Sequence, residues 1–265
     1  DASVQPNYSP LGYYEGFSIR GFGLDYATAY QINGMPLTAE ANIALENKER
    51  VEIIKGISSQ ENGAISPGGY INFVTKRSKN INSATIGYSE KGSFLQAADY
   101  GRWLNNEKTL GIRLNAAHET IKPYAIDANG ERTFASAALD IAPTKSTSIK
   151  LDLDYQKRSQ FTQPGWQILG GTTLPSINPT QVLAIQPWRK PVTTEQGNLG
   201  FQINHILENS WKVNARYQLS HIQTSDNSSF PWGCPSSQNS PYPVNSNLFC
   251  DNGNFTLSDF RSNNE

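Results

Sequence analysis

The residue types best able to do chemistry are few here, and their spacing assembles no catalytic centre. His118, His205 and His221 are the three histidines; they lie far apart, each near the end of an alternating segment, where a polar rim residue is expected rather than a ligand. No HExxH, GxSxG, CxxC or phosphate-loop pattern occurs. Gly21-Phe22-Gly23 lacks the third glycine and the following helix of a nucleotide loop. The chain is therefore expected to be neither an enzyme nor a holder of protein-bound metal. Cys234 and Cys250 share one polar stretch rich in Pro, Asn and Ser. A disulfide between them is preferred over two separate thiols: it closes a loop of about 15 residues, contributing ~3 kcal/mol in the chain-entropy reading, and implies an oxidising compartment. The remaining chemistry is that of charge: Arg20 before Gly21, then Glu49, Arg50, Glu52 and Lys55 close together, either solvated or paired with a facing surface.

The elements that must position these groups are strands. With 265 residues the chain has room for one large β domain or two smaller ones. A hydrophobic fraction of 37%, a negative mean hydropathy and the absence of any apolar run near 18–20 residues exclude a helical membrane protein. They leave a membrane barrel open, because its strands show only every second residue to lipid. A net charge of −1 argues against nucleic acid as partner.

Over residues 1–77 the sequence is Gly-rich. Strands are expected at Phe17–Arg20, Ala29–Ile32, Arg50–Lys55 and Tyr70–Thr75, a turn at Asn33-Gly34, and a single helical turn over Ser58–Asn62. From residue 82 a period of two takes over. Ile149, Leu151, Leu153 and Tyr155 alternate with Lys150, Asp152, Asp154 and Gln156. Equivalent patterns at Ala84–Ser89, Phe94–Leu104, Leu110–Ala116, Ala135–Ile141, Leu199–Ile203 and Trp211–Leu219 give about seven strands. Their connections alternate short and long, and the strands run to about 9–12 residues, the length that crosses a tilted bilayer wall. A soluble sandwich would show the same alternation over strands of roughly 5–6 residues.

Three glycine-punctuated signatures in fixed order, SIRGF (18–22), ERVEIIKG (49–56) and SPGGYINFVTKR (66–77), precede this pattern. The combination resembles the TonB-dependent outer-membrane receptors, and among them the siderophore receptors. The resemblance covers residues 1–77 specifically and 78–265 through architecture. It implies the C-terminal part of an α+β plug domain (1–77) inside a transmembrane antiparallel β-barrel whose first part is 78–265, of about 22 strands when complete. It also implies a location in the bacterial outer membrane, a ferric siderophore as cargo with iron held by the siderophore and no protein cofactor, and coupling to TonB, with ExbB–ExbD, through a segment N-terminal to these residues. Arg20 and Lys55 match the family's basic positions that latch plug to barrel, with partner glutamates expected on later strands. An aromatic ligand pocket is implied above the plug, drawing on Tyr8, Asp25 and Tyr26, on Trp166, Trp188 and Arg189 of the 156–191 connection, and on Trp232 and Tyr242 near the cysteines. Other readings are the same transporter carrying haem, cobalamin or an oligosaccharide, a surface-binding β module without transport, and a passive porin, against which the plug-like segment argues.

Overall fold

The structure, a computed structural model, describes residues 2–8, 11–56, 66–162, 178, 180, 189–226, 229–232 and 256–259. Among these residues every regular element is a strand. The helical turn expected over 58–62 lies outside them, as do Trp166, Trp188, Cys234, Tyr242 and Cys250.

The N-terminal part is built from two small sheets. β1 (Val4–Pro6), β2 (Phe17–Ile19) and β3 (Phe22–Gly23) form one. β2 and β3 are joined through Arg20 and Gly21, both at positive φ (53° and 83°), so RGF is a tight hairpin corner. The second sheet has the order β5-β4-β7-β6, from β4 (Tyr30–Ile32), β5 (Met35–Pro36), β6 (Lys48–Lys55) and β7 (Gly69–Thr75). β7 pairs parallel with β4 and antiparallel with β6. It is covered on both faces and almost wholly buried, which explains its unbroken Tyr-Ile-Asn-Phe-Val run. Ile19, Leu24, Tyr30, Tyr70, Ile71 and Phe73 form the core between the two sheets. Gly69 is required by contact: at φ 118° a Cβ would stand 1.9 Å from the Ile54 carbonyl oxygen.

The chain then enters a seven-stranded antiparallel meander: β8 (Ile81–Tyr88), β9 (Phe94–Trp103), β10 (Leu110–Ile121), β11 (Gly130–Thr144), β12 (Thr147–Gln160), β13 (Val192–Ile206) and β14 (Lys212–Ser225). Each strand pairs with its sequence neighbour. The number and order match the alternation in the sequence, but several strands extend beyond it, through polar residues at both ends. One hairpin was not legible: β15 (Ser229–Trp232) pairs with β16 (Thr256–Asp259), across a stretch that reads as one long loop.

The orientation of this sheet decides between barrel and sandwich. Leu114, Ala137, Leu153, Leu199 and Leu219 stand opposite one another on successive strands. Leu153 is 55% and Leu219 51% exposed. The adjacent row, Asn115, Ser136, Asp154, Asn198 and Ser220, points the other way, and Asn115, Asp154 and Asn198 are buried. The apolar face is thus bare and the polar face covered, the reverse of a water-soluble sandwich. A sheet of this kind belongs in lipid, with its polar side turned to a lumen. The histidines fit: His118, His205 and His221 sit on the apolar face near strand ends, His118 Nδ1 lying 3.1 Å from Thr133 Oγ1 and His205 Nδ1 2.8 Å from Thr147 Oγ1.

Candidate functional site: plug, wall and the tyrosine cavity between them

The covered polar face of the meander packs against the N-terminal part through charge. Arg77, just after β7, reaches Asp152 (Nη2 to Oδ2, 2.5 Å) and stands 3.6 Å from Asp140. Lys76 and Arg113 both grip Asp99, the arginine through Nε and Nη2 at 2.5 and 2.7 Å. Lys48 at the start of β6 is buried beside Asp154 at 3.8 Å, and its Nζ also donates to Asn47. Burial pulls the Lys48 pKa down, and the nearby Asp154, Asp152 and Glu46 offset only part of that. The charges are reversed farther along the wall, where Arg132 binds Glu46 through both terminal nitrogens (2.5 and 3.1 Å) and Glu119 through Nε (2.9 Å). Burial alone would raise the Glu46 pKa, but the hydrogen bonds and charge of Arg132 hold it below the ordinary glutamate value. Neutral donors fill the gaps: Asn33 Nδ2 donates to Asp152, Asn47 Nδ2 to Asp154, and Gln156 Nε2 to the Asn42 carbonyl.

This contact is a layer of buried, paired charge. Such pairs fix position rather than add much net stability, because each ion loses hydration that its partner must restore. None of its members was singled out as a pairing residue from the sequence, although the signal was present. Asp152, Asp154 and Gln156 are the polar half of an alternating strand whose other half is apolar, and in a lipid-facing sheet that half must find a polar partner.

Arg20 and Lys55 are both exposed, at the two hairpin-side ends of the plug sheets. Asp25 is exposed too, and its Oδ1 accepts hydrogen bonds from Ala27 N, Thr28 N and Thr28 Oγ1, at 2.8–3.1 Å. These bonds, with that of the Thr28 hydroxyl first, hold its pKa down. Asp25 thus fastens a local turn. Arg189 places its guanidinium 4.5 Å over the Phe161 ring and donates to the Asp127 carbonyl. Trp232 is the last residue of β15.

Tyr8 and Tyr26 come together through Tyr14, a residue that the sequence did not single out. Tyr8 stacks on Tyr14 (centroids 5.0 Å, planes 9° apart), Tyr14 meets Tyr26 edge-on at 5.0 Å, and Tyr26 stacks on the buried Tyr30 at 6.1 Å. The contact continues to Tyr13, whose hydroxyl donates to Asp226 Oδ2 at 2.6 Å. Burial, reinforced by Tyr8, Tyr26 and Glu40, pushes the Tyr14 pKa up to about 12. Between these rings and the long-loop end of β14 lies an open cavity of about 550 Å³, lined on one side by Tyr8, Tyr14 and Glu40 and on the other by Ser220, Thr224 and Asp226. The segment holding it is tied to the rim of the wall: Gly12 N donates to Gln160, Thr162 Oγ1 to the Leu11 carbonyl, and Arg158 Nη1 to the Tyr13 carbonyl.

A stopper held by charge to the lumen side of a lipid-facing sheet, with an aromatic cavity at the long-loop end, is the architecture of a plugged barrel. Residues 1–70 match the TonB-dependent Receptor Plug Domain. It is 28% identical over 191 residues to the ferrichrome receptor FcuA of Yersinia enterocolitica, covering 69% of this chain and 25% of the relative. To the metal-pseudopaline receptor CntO of Pseudomonas aeruginosa (strain UCBPP-PA14) it is 26% identical over 188 residues, covering 68% of this chain and 26% of the relative. The crystal structure of BauA, the ferric preacinetobactin receptor of Acinetobacter baumannii, superposes with a TM-score of 0.73 at 22% identity, over 86% of this chain and 34% of that one. The chain thus spans about a quarter of the length of the curated relatives it matches.

Proposed function

We propose that this chain is the plug (1–77) and first wall strands (78–265) of a bacterial outer-membrane receptor for active uptake of a ferric siderophore. The observation that carries the reading is the inverted sheet with a charged plug seated on its polar side and a tyrosine-lined cavity at its long-loop end. A passive pore has no use for a stopper fixed by buried ion pairs, and a soluble binding module would not bare its leucines. The relatives named for ferrichrome, metal-pseudopaline and ferric preacinetobactin support siderophore-type cargo. Iron enters as cargo, held by the siderophore.

In this reading the cargo lands on the rings of Tyr8 and Tyr26 and on aromatics of the outer connections, Trp166, Trp188, Trp232 and Tyr242, with Asp25 shaping the adjacent turn and Arg189 the rim. TonB, with ExbB–ExbD, supplies the pull through a segment preceding this chain in the full-length protein. Arg20 and Lys55 act as the second latch, against carboxylates of further wall strands; their exposure supports that role. A Cys234–Cys250 disulfide ties the outer loop, and the β15–β16 pairing on either side of the two cysteines supports it.

The test is deletion of the full-length gene in its host under iron limitation. Growth on a ferric siderophore should be lost, and should return with the intact gene but not with one lacking the segment before residue 1. Undiminished iron-limited growth of the deletion strain on each of ferric hydroxamates, catecholates and mixed-ligand siderophores would defeat the reading.

A further inference from the structure

We propose that the tyrosine cavity selects its cargo by charge, taking ferric complexes of neutral or positive net charge, of the hydroxamate class, and disfavouring the trianionic catecholate complexes. The proposal rests on the uptake reading and sharpens it.

Two carboxylates face the cavity, Glu40 from the plug and Asp226 from the end of β14. Asp226 spends one oxygen on the Tyr13 hydroxyl at 2.6 Å, while its buried Oδ1 accepts no hydrogen bond from the described residues. That oxygen calls for a donor or a cation. Among the described residues lining the cavity none is lysine or arginine, and His221, which also borders it, belongs to the row of β14 that faces the other way with Leu219 and Tyr217. Arg189 is turned to the Phe161 ring and the Asp127 carbonyl, and neither it nor its exposed neighbour Lys190 lines the cavity. The other polar groups of the lining, the hydroxyls of Tyr8, Tyr14, Thr38, Ser220 and Thr224, are neutral donors and acceptors. Burial keeps the Tyr14 hydroxyl protonated at any physiological pH.

The described residues therefore give the cavity a negative field. A partly desolvated site between plug and wall screens poorly, so a trianion is repelled far more than a neutral complex is, and a monocation is attracted. The ring faces add to this, because their quadrupoles present negative charge to whatever stacks on them.

The experiment is fluorescence-quench titration of the purified full-length receptor with three probes: a monocationic ferric linear trihydroxamate, a neutral ferric cyclic trihydroxamate and a trianionic ferric tris-catecholate. The parent should bind either hydroxamate complex at least about tenfold more tightly than the catecholate, a difference of ~1.4 kcal/mol. In the double variant Glu40→Gln, Asp226→Asn the cationic complex should weaken about tenfold, the trianionic complex should tighten, and the neutral complex should shift least of the three, with an unchanged far-ultraviolet circular dichroism spectrum showing that the fold is kept. A parent preference for the catecholate, or a cation-to-anion ratio unmoved by the double variant, overturns charge selection and leaves siderophore uptake standing. Binding of none of the three probes overturns both.

Discussion

The pair between Glu46 of the plug and Arg132 of the wall allows plug docking to be measured as a coupling energy. The guanidinium meets the carboxylate through two nitrogens at 2.5 and 3.1 Å, with side chains only 13% and 15% exposed, and carries Glu119 on its third nitrogen. Removing one partner of a buried pair costs about 3–5 kcal/mol, mostly for the charge left behind. The two single changes should differ. Glu46→Ala leaves Arg132 still compensated by Glu119, which places it near 3 kcal/mol. Arg132→Ala leaves two neighbouring carboxylates with no cation between them, which places it near 5 kcal/mol. In the double change only Glu119 remains, so the cycle should return a coupling of about 2–3 kcal/mol. The readout is native-state hydrogen exchange of the plug amides over residues 42–48 in the full-length receptor, where opening is local. Loss of ~3 kcal/mol should speed exchange there more than about a hundredfold, with the wall strands unchanged. A coupling under about 0.5 kcal/mol, or an Arg132 change no worse than the Glu46 change, would refute the assignment of this pair as a docking contact.

The same pair gives a pH dependence. Because Arg132 holds the folded-state pKa of Glu46 below 4.5, the contribution is present in full above the unfolded value and is lost as pH falls through the lower folded one; exchange at 42–48 should accelerate below that value in the parent and not in Glu46→Gln. For Tyr14 the sign is opposite. Its pKa is raised from 10.0 to about 12, so stability is full below 10 and fades as pH rises towards 12; the ultraviolet tyrosinate titration of the parent, less that of Tyr14→Phe, should show one hydroxyl ionising near 12. Gly69→Ala drives a Cβ into the Ile54 carbonyl at 1.9 Å, and the plug should become protease-sensitive while the barrel still resists heat in detergent. Leu153→Arg puts a charge on the bare apolar face and should cost about 2–4 kcal/mol of folding into bilayers if it lies near the midplane; an effect near zero would mean that face does not meet lipid.

The sequence by itself determined what local rules control. Period-two alternation gave the meander, since a strand must sort its side chains onto two faces. Asn33-Gly34, at φ 52° and 77°, declared the β4–β5 corner, because few other residue pairs tolerate that backbone. Tyr8 and Tyr26 were named as pocket candidates by the family resemblance, and the structure joins them through Tyr14. What the sequence left open was which face of each strand is covered. Alternation is identical in a sandwich and in a barrel wall, and only the exposure of Leu153 beside the burial of Asp154 separates them.

Partners were likewise invisible along the chain. Glu46 and Arg132 are 86 positions apart, and Tyr13 and Asp226 are 213. Such pairs form only when the plug is set against the wall, so no window of sequence contains them. The family resemblance places anchoring charges at Arg20 and Lys55, with partners on later strands. The described wall instead meets Glu46, Lys48, Lys76 and Arg77. Burial gives those residues their role: a charge withdrawn from water must find its opposite, and only the folded arrangement of plug on wall provides one.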